Sequence, residues 1–282
     1  MGYKTILVHL DASRLAQPRV AAAAALAMQF DAHLIGLAPT GWLLMPSEAV
    51  PGLGLAAYEA AAMRELQEQA QGCVASFEEQ VRRLGVTSYE ARIEEGFAEE
   101  ALAALSARYC DLTVVSQANP EEASLASSPG LPQEVLMQSG RPLLVLPFAG
   151  SYEVAPASRV LVGWNASREA ARAMHDALPL LKKAAHVEVV VFETPEDLDL
   201  RHWQLPGADI GLWLARHGVT VNVRHVPAKV AAGEALLSHA ADINAGLIVA
   251  GGYGHSRLRE AVLGGVTRTL LRSSPVPVLM SH

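Results

Sequence analysis

The sequence predicts an α/β protein built from two tandem copies of one domain, each a parallel sheet with helices on both faces. Three observations point there. The first is an internal repeat. Residues 5–10 (TILVHL) run into Asp11-Ala12-Ser13-Arg14, and 154 positions later residues 160–164 (VLVGW) run into Asn165-Ala166-Ser167-Arg168. Residues 112–115 then match 247–250, and 144–146 match 277–279, in the same order. The second is the alternation of short apolar runs with helical patterns, the mark of β-α-β units. The third is the near-continuous apolarity of residues 187–191 and 247–250, which suits strands covered on both faces.

The second copy reads as strands at 160–164, 187–192, 219–225, 247–250 and 276–280. Helices at 167–184, 210–217, 233–244 and 266–272 lie between them. The first copy follows the same order but carries a Pro/Gly-rich insert, 39–54, before a long helix around 55–84. An insert of this length with Trp42, Leu43, Leu44 and Met45 reads as a cap over a pocket or as a flap that contacts a partner. The domains are expected at 1–148 and 152–282, joined at 149–151. Their last strands, 143–146 and 276–280, would be open sheet edges unless paired with one another.

Composition bounds the function. A chain of 282 residues with 51% hydrophobic and 18% charged residues has the makeup of a folded protein of about two domains. Its net charge of −7 lacks the basic footprint that nucleic-acid binding needs. Cys73 and Cys110 are too few for a disulfide framework or a thiolate metal site, so a reducing cytoplasm is the expected compartment. The alanine-rich run 20–30 is far short of the roughly 20 apolar residues of a membrane span, and no secretory signal is expected at the start.

In open parallel sheets, ligands bind beyond the carboxyl ends of the strands. Beyond 247–250 comes Gly251-Gly252-Tyr253-Gly254-His255, and nine residues after Gly254 comes Gly264-Gly265-Val266-Thr267. Glycines allow close backbone approach, and a loop of this kind can turn its N–H groups inward on an anion. Gly264-Gly265 directly precedes a helix, whose free N–H groups and dipole favour phosphate. His255 sits inside the loop as a further donor. The same glycines would equally serve as tight strand-to-helix turns.

This G-x-x-G, nine-residue gap and following glycine pair, with the Asn165–Ala170 turn and the last-strand segment Pro275-Val276-Pro277-Val278-Leu279, resembles the universal stress protein family. The resemblance covers essentially the whole chain, as two domains in tandem. It implies two Rossmann-like domains of the adenine nucleotide alpha hydrolase type, each a five-stranded parallel sheet sandwiched by helices. It also implies a cytoplasmic stress-response role with ATP binding, possible Mg, and an internal pseudo-dimer standing in for the dimer of single-domain members, with a homodimer of whole chains left open. Carried across, Gly251 and Gly254 would line the triphosphate loop. Gly264, Gly265 and Val266 would present backbone N–H groups to phosphate, and Asn165 would lie near adenine and ribose. Gly265 stands where Ser or Thr is usual, with Thr267 two residues on. Asn165 replaces the usual aspartate, keeping hydrogen bonding but losing charge.

The first copy departs further. After its fourth strand comes Ser116-Gln117-Ala118-Asn119-Pro120-Glu121-Glu122, without glycine, and Leu131-Pro132 is read in the place of Gly264-Gly265. Proline donates no N–H, so no nucleotide is expected in this half. Charge agrees: nine Lys+Arg face 17 Asp+Glu up to residue 148, and 13 face 12 after it. Arg257, Arg259, Arg268 and Arg272 cluster in the second motif region. No P-loop, H-E-x-x-H, C-x-x-C or G-x-S-x-G motif occurs. A binding protein rather than an enzyme is expected, with adenine nucleotide as partner, no nucleic acid and no membrane. A non-nucleotide protein-contact or small-ligand module of the same fold is the alternative, and a slow ATPase a weaker one.

Overall fold

The computed structural model describes residues 2–40, 55–95, 98–118, 130–149, 159–193, 208–227, 230–254 and 265–282. The insert core 41–54, His255, Arg257, Arg259, Gly264 and the 119–122 segment lie outside these residues.

The elements run in chain order as strand β1 (Thr5–His9), helix α1 (Ala16–Phe30), β2 (His33–Pro39), α2 (Leu55–Leu84) and β3 (Tyr89–Glu94). Next come α3 (Glu99–Ala107), β4 (Leu112–Ser116), α4 (Leu131–Gln138) and β5 (Leu143–Leu146). The second series is β6 (Arg159–Gly163), α5 (Arg168–Leu181), β7 (His186–Glu193), α6 (Ala208–Arg216) and β8 (Val221–Pro227). It closes with α7 (Ala232–Asp242), β9 (Leu247–Gly251), α8 (Val266–Ser273) and β10 (Val278–Ser281).

All ten strands form one sheet, ordered β3-β2-β1-β4-β5-β10-β9-β6-β7-β8. Pairing is parallel within each series of five and antiparallel only at β5–β10, where Leu144 faces Leu279. The two apolar last strands therefore cap each other, which removes the edge that each would otherwise expose. Two core layers follow. One face packs α1, α2, α5 and α6 around residues such as Ile6, Leu26, Phe77, Val162, Ala173 and Leu214. The other packs α3, α4, α7 and α8 around Leu7, Ala104, Leu136, Leu161, Leu236 and Leu270. Each layer runs across both halves. Among the described residues, no helix is long and apolar enough to cross a membrane.

In each half the strand order reverses between two neighbours, β1 and β4 in the first and β6 and β9 in the second, because the chain leaves the central strand in opposite directions. The crevice beyond those strand ends is where a ligand site is expected.

Sheet register corrects one sequence match. Thr113 pairs with Leu143, and Ile248 pairs with Val278; each member of the second pair lies 135 positions after its counterpart. Gly130 caps α4 and Gly265 caps α8 at the same separation. Gly130 therefore stands in the place of Gly265, and Pro132 in the place of Thr267; Leu131-Pro132 do not replace the glycine pair. The sequence match erred because the prolines before the last strands invite alignment, whereas hydrogen-bonded register fixes it.

Candidate functional site

Three segments converge beyond β6 and β9. The first is the turn after β6. Asn165 Oδ1 accepts the Ser167 backbone N–H at 3.1 Å, which closes a tight turn that carries Ala166 into positive φ. Ser167 then caps α5, its hydroxyl oxygen accepting the Ala170 N–H at 3.1 Å. Asp11 does the same work after β1, accepting the Ser13 N–H at 3.0 Å. The turn requires an acceptor, not a charge, which is why Asn serves in one half and Asp in the other.

The second segment is the glycine loop. A Cβ on Gly251 would stand 2.5 Å from the Ala170 nitrogen and 2.7 Å from the Glu169 carbonyl carbon. One on Gly252 would stand 2.7 Å from Leu136 Cδ2, a residue of α4 in the other half. One on Gly254 would stand 2.9 Å from Glu169 Oε2 and 3.2 Å from Ser167 Oγ. The loop is therefore glycine-rich because it is clamped between the first turn of α5 and α4, a packing demand independent of any ligand. The third segment is the start of α8. Gly265 caps it in extended conformation with no side-chain cap, and its first turn holds no acidic residue. Its leading N–H groups thus have no partner within the helix. The Tyr253 N–H donates to Thr267 Oγ1 at 3.0 Å, so loop and helix are tied together. Thr267 is buried; its oxygen is spent on this tie.

Two side chains not singled out from the sequence belong to this site. Glu169, 3% exposed, receives a 2.5 Å bond from the outward-pointing Arg168. Burial pushes the Glu169 carboxyl up, but the bond from Arg168, its own backbone N–H and the nearby Arg168 and His282 charges outweigh it and hold it below the ordinary carboxylate range. His282 follows β10, with Nδ1 3.0 Å from the Gly252 carbonyl and its ring edge-on to Tyr253. The usable signal for Glu169 was its place in the first turn after a capping serine; for His282 there was none.

Residues 156–282 match the model of the universal stress protein family. That half of the chain belongs to this family. Over nearly the whole chain the fold is similar to a universal stress protein from Archaeoglobus fulgidus DSM 4304, with TM-score 0.70 at 18% identity, covering 98% of this chain and 97% of that one. It is also similar to a functionally unknown protein from Pseudomonas aeruginosa PAO1, with TM-score 0.60 at 15% identity, covering 99% and 92%. No curated protein matches the sequence significantly. The structural matches extend the α/β fold through the half that the family model leaves unmatched.

In that other half, the position equivalent to this crevice is filled from within. Arg19, 2% exposed, donates from Nε to the His9 carbonyl at 2.8 Å and from Nη1 to Ser116 Oγ at 3.1 Å. Its Nη2 lies 2.8 Å from Asp11 Oδ1. His9 is equally buried, its Nε2 2.6 Å from Glu99 Oε1 and its Nδ1 3.6 Å from Asp11 Oδ2. Burial pushes the Asp11 carboxyl up, but Arg19, His9 and the Ser13 hydroxyl outweigh it and hold it below the ordinary range. An arginine, a histidine and two carboxylates thus close on one another beneath the strand ends. Ser116 occupies the place of Gly251, and its hydroxyl oxygen accepts from the guanidinium.

Proposed function

We propose that this chain is a stress-response protein of the cytoplasm whose C-terminal half, residues 152–282, binds an adenine nucleotide, ATP in the first instance. In this reading the N-terminal half, 1–148, binds none and serves as its structural mate. The observation that carries it is the start of α8, whose leading N–H groups have no partner among the described residues, tied by Tyr253 and Thr267 to the glycine loop at the strand-order reversal. The N–H groups of a helix's first turn, with the helix dipole behind them, suit phosphate oxygens. Adenine as the base comes from the family.

The residues fit the phosphates at one end of the site only. The backbone of Gly265 and Val266 offers donors, whereas the Glu169 carboxylate beside Gly254 opposes bare phosphate. The polyphosphate therefore lies toward α8, and the Asn165 turn and Gly254 side takes the ribose and base, where a carboxylate can accept from hydroxyls. A magnesium ion carried on the phosphates would offset the Glu169 charge. The role proposed is binding and sensing, without turnover.

Titration of the intact chain with ATP, ADP and AMP, with and without Mg, tests this. A dissociation constant of about micromolar order, abolished by Gly254→Val, is expected. Flat titrations, or occupancy in the N-terminal half, overturn it. The packing demand that explains Gly251 and Gly252 favours a second reading, a protein-contact module that keeps the fold alone; flat titrations with all three nucleotides would leave that reading standing.

A further inference from the structure

We propose that Gln117, in the N-terminal half, is a positioning residue for the anion-binding helix of the C-terminal half. This rests on the reading of α8 given above. Gln117 follows β4, in the place that Gly252 holds after β9. It is 3% exposed, and its backbone N–H is fixed to the Leu146 carbonyl at 2.8 Å. Its Nε2 donates to the carbonyl of Leu270, in the last turn of α8, and to that of Ser274, which follows the helix, each at 3.1 Å. Its Oε1 accepts the Phe148 N–H at 3.3 Å. Both amide protons and the amide oxygen are thus engaged, and the side chain has no freedom left.

The helix that it holds is two turns long. At one end α8 meets Gln117; at the other Thr267 accepts the Tyr253 N–H, and the leading N–H groups have no partner among the described residues. A helix this short transmits a shift at one end to the other as a rigid strut, because its ladder of hydrogen bonds resists bending more than its ends resist sliding. The reverse contact is steric: Leu136 of α4 fills the space that a side chain at Gly252 would need. The N-terminal half therefore sets both components of the other half's site, the helix through Gln117 and the loop through Leu136. Its own equivalent position has become the tool that does so, which gives a physical reason for a half without the glycine loop to be retained.

The test uses the intact chain with Gln117→Glu, which keeps the shape and the acceptor but loses both donors, and Gln117→Met, which loses all three bonds. Tyr3→Phe serves as control. It removes another bond between the halves, Tyr3 Oη to the Asp176 carbonyl at 2.8 Å, away from the site. The ligand-free readout is amide hydrogen exchange at Tyr253 and over the first turn of α8. Both Gln117 variants should lose protection there, while Tyr3→Phe lowers Tm without this local loss. Titrated with Mg-ATP, the Gln117 variants should bind about fivefold more weakly, the low end of coupling between linked sites, with Tyr3→Phe unchanged. Unaltered exchange at Tyr253 in both Gln117 variants overturns the proposal, as does unaltered ATP affinity in variants of a wild type that binds. A wild type that binds no nucleotide but shows the exchange pattern sinks the nucleotide reading and leaves the positioning role standing.

Discussion

The backbone nitrogen of Ala170 stands 2.5 Å from where a side chain at Gly251 would begin. The end of β9 and the first turn of α5 are pressed together there, with backbone on both sides and no flexible side chain to yield. Gly251→Ala should therefore cost about 1–3 kcal/mol, as overpacking against unyielding neighbours does. By contrast Gly72, inside α2 with nothing within 4 Å of its missing Cβ, should gain roughly 0.5–1 kcal/mol on substitution by alanine. Denaturant unfolding of the two variants checks both signs.

Thr267→Val keeps the volume and removes the acceptor of the Tyr253 N–H. The loss of that bond should cost about 1 kcal/mol of stability and weaken nucleotide binding by roughly tenfold as the loop comes loose, while Thr267→Ser restores both. Calorimetric titration together with thermal unfolding separates the two effects.

Val266→Pro deletes one open N–H at the first position of α8, where proline is well tolerated. Nucleotide affinity should fall with Tm nearly unchanged. Equal loss of affinity and stability would instead mean that the helix start is structural.

Arg19→Met leaves Asp11 buried without its guanidinium and Ser116 without its donor. Removing one partner of a buried ionic group costs about 3–5 kcal/mol, so this variant should be severely destabilised in a chemical unfolding curve, although it lies outside the half proposed to bind nucleotide.

Acid should attack the same place. Asp11 is held below its ordinary value of 3.8 in the folded protein. Its contribution to stability is complete above that value and is lost as pH falls through the lower, native one. Asp11→Asn should lower stability at neutral pH and flatten the acid limb of the stability profile, measured by unfolding between about pH 5 and pH 2.

Much of this protein was legible in its residues. The repeat of TILVHL-Asp11 in VLVGW-Asn165, and of 112–115 in 247–250, determined the α/β class, because strand and helix periods are local properties. The same periods gave the order of elements, and the open edges of the last strands pointed to their pairing. The glycine spacing marked one tight loop at the strand-order reversal, because turns and close approaches are written in residue type. Arg19 was readable too, as a charge on the buried stripe of an alanine-rich helix with Val20, Ala23 and Ala27, but its partners were not. Only the tertiary structure decided that Gly251 is glycine for the sake of Ala170, that Gly130 and not Pro132 matches the cap of α8, and that His9, Asp11, Arg19, Glu99 and Ser116 meet in one cluster. It alone brought Gln117 to carbonyls more than 150 residues away. Local sequence encodes what a segment can become; which charges and hydrogen bonds meet depends on how the sheet's register carries distant segments to the same strand ends.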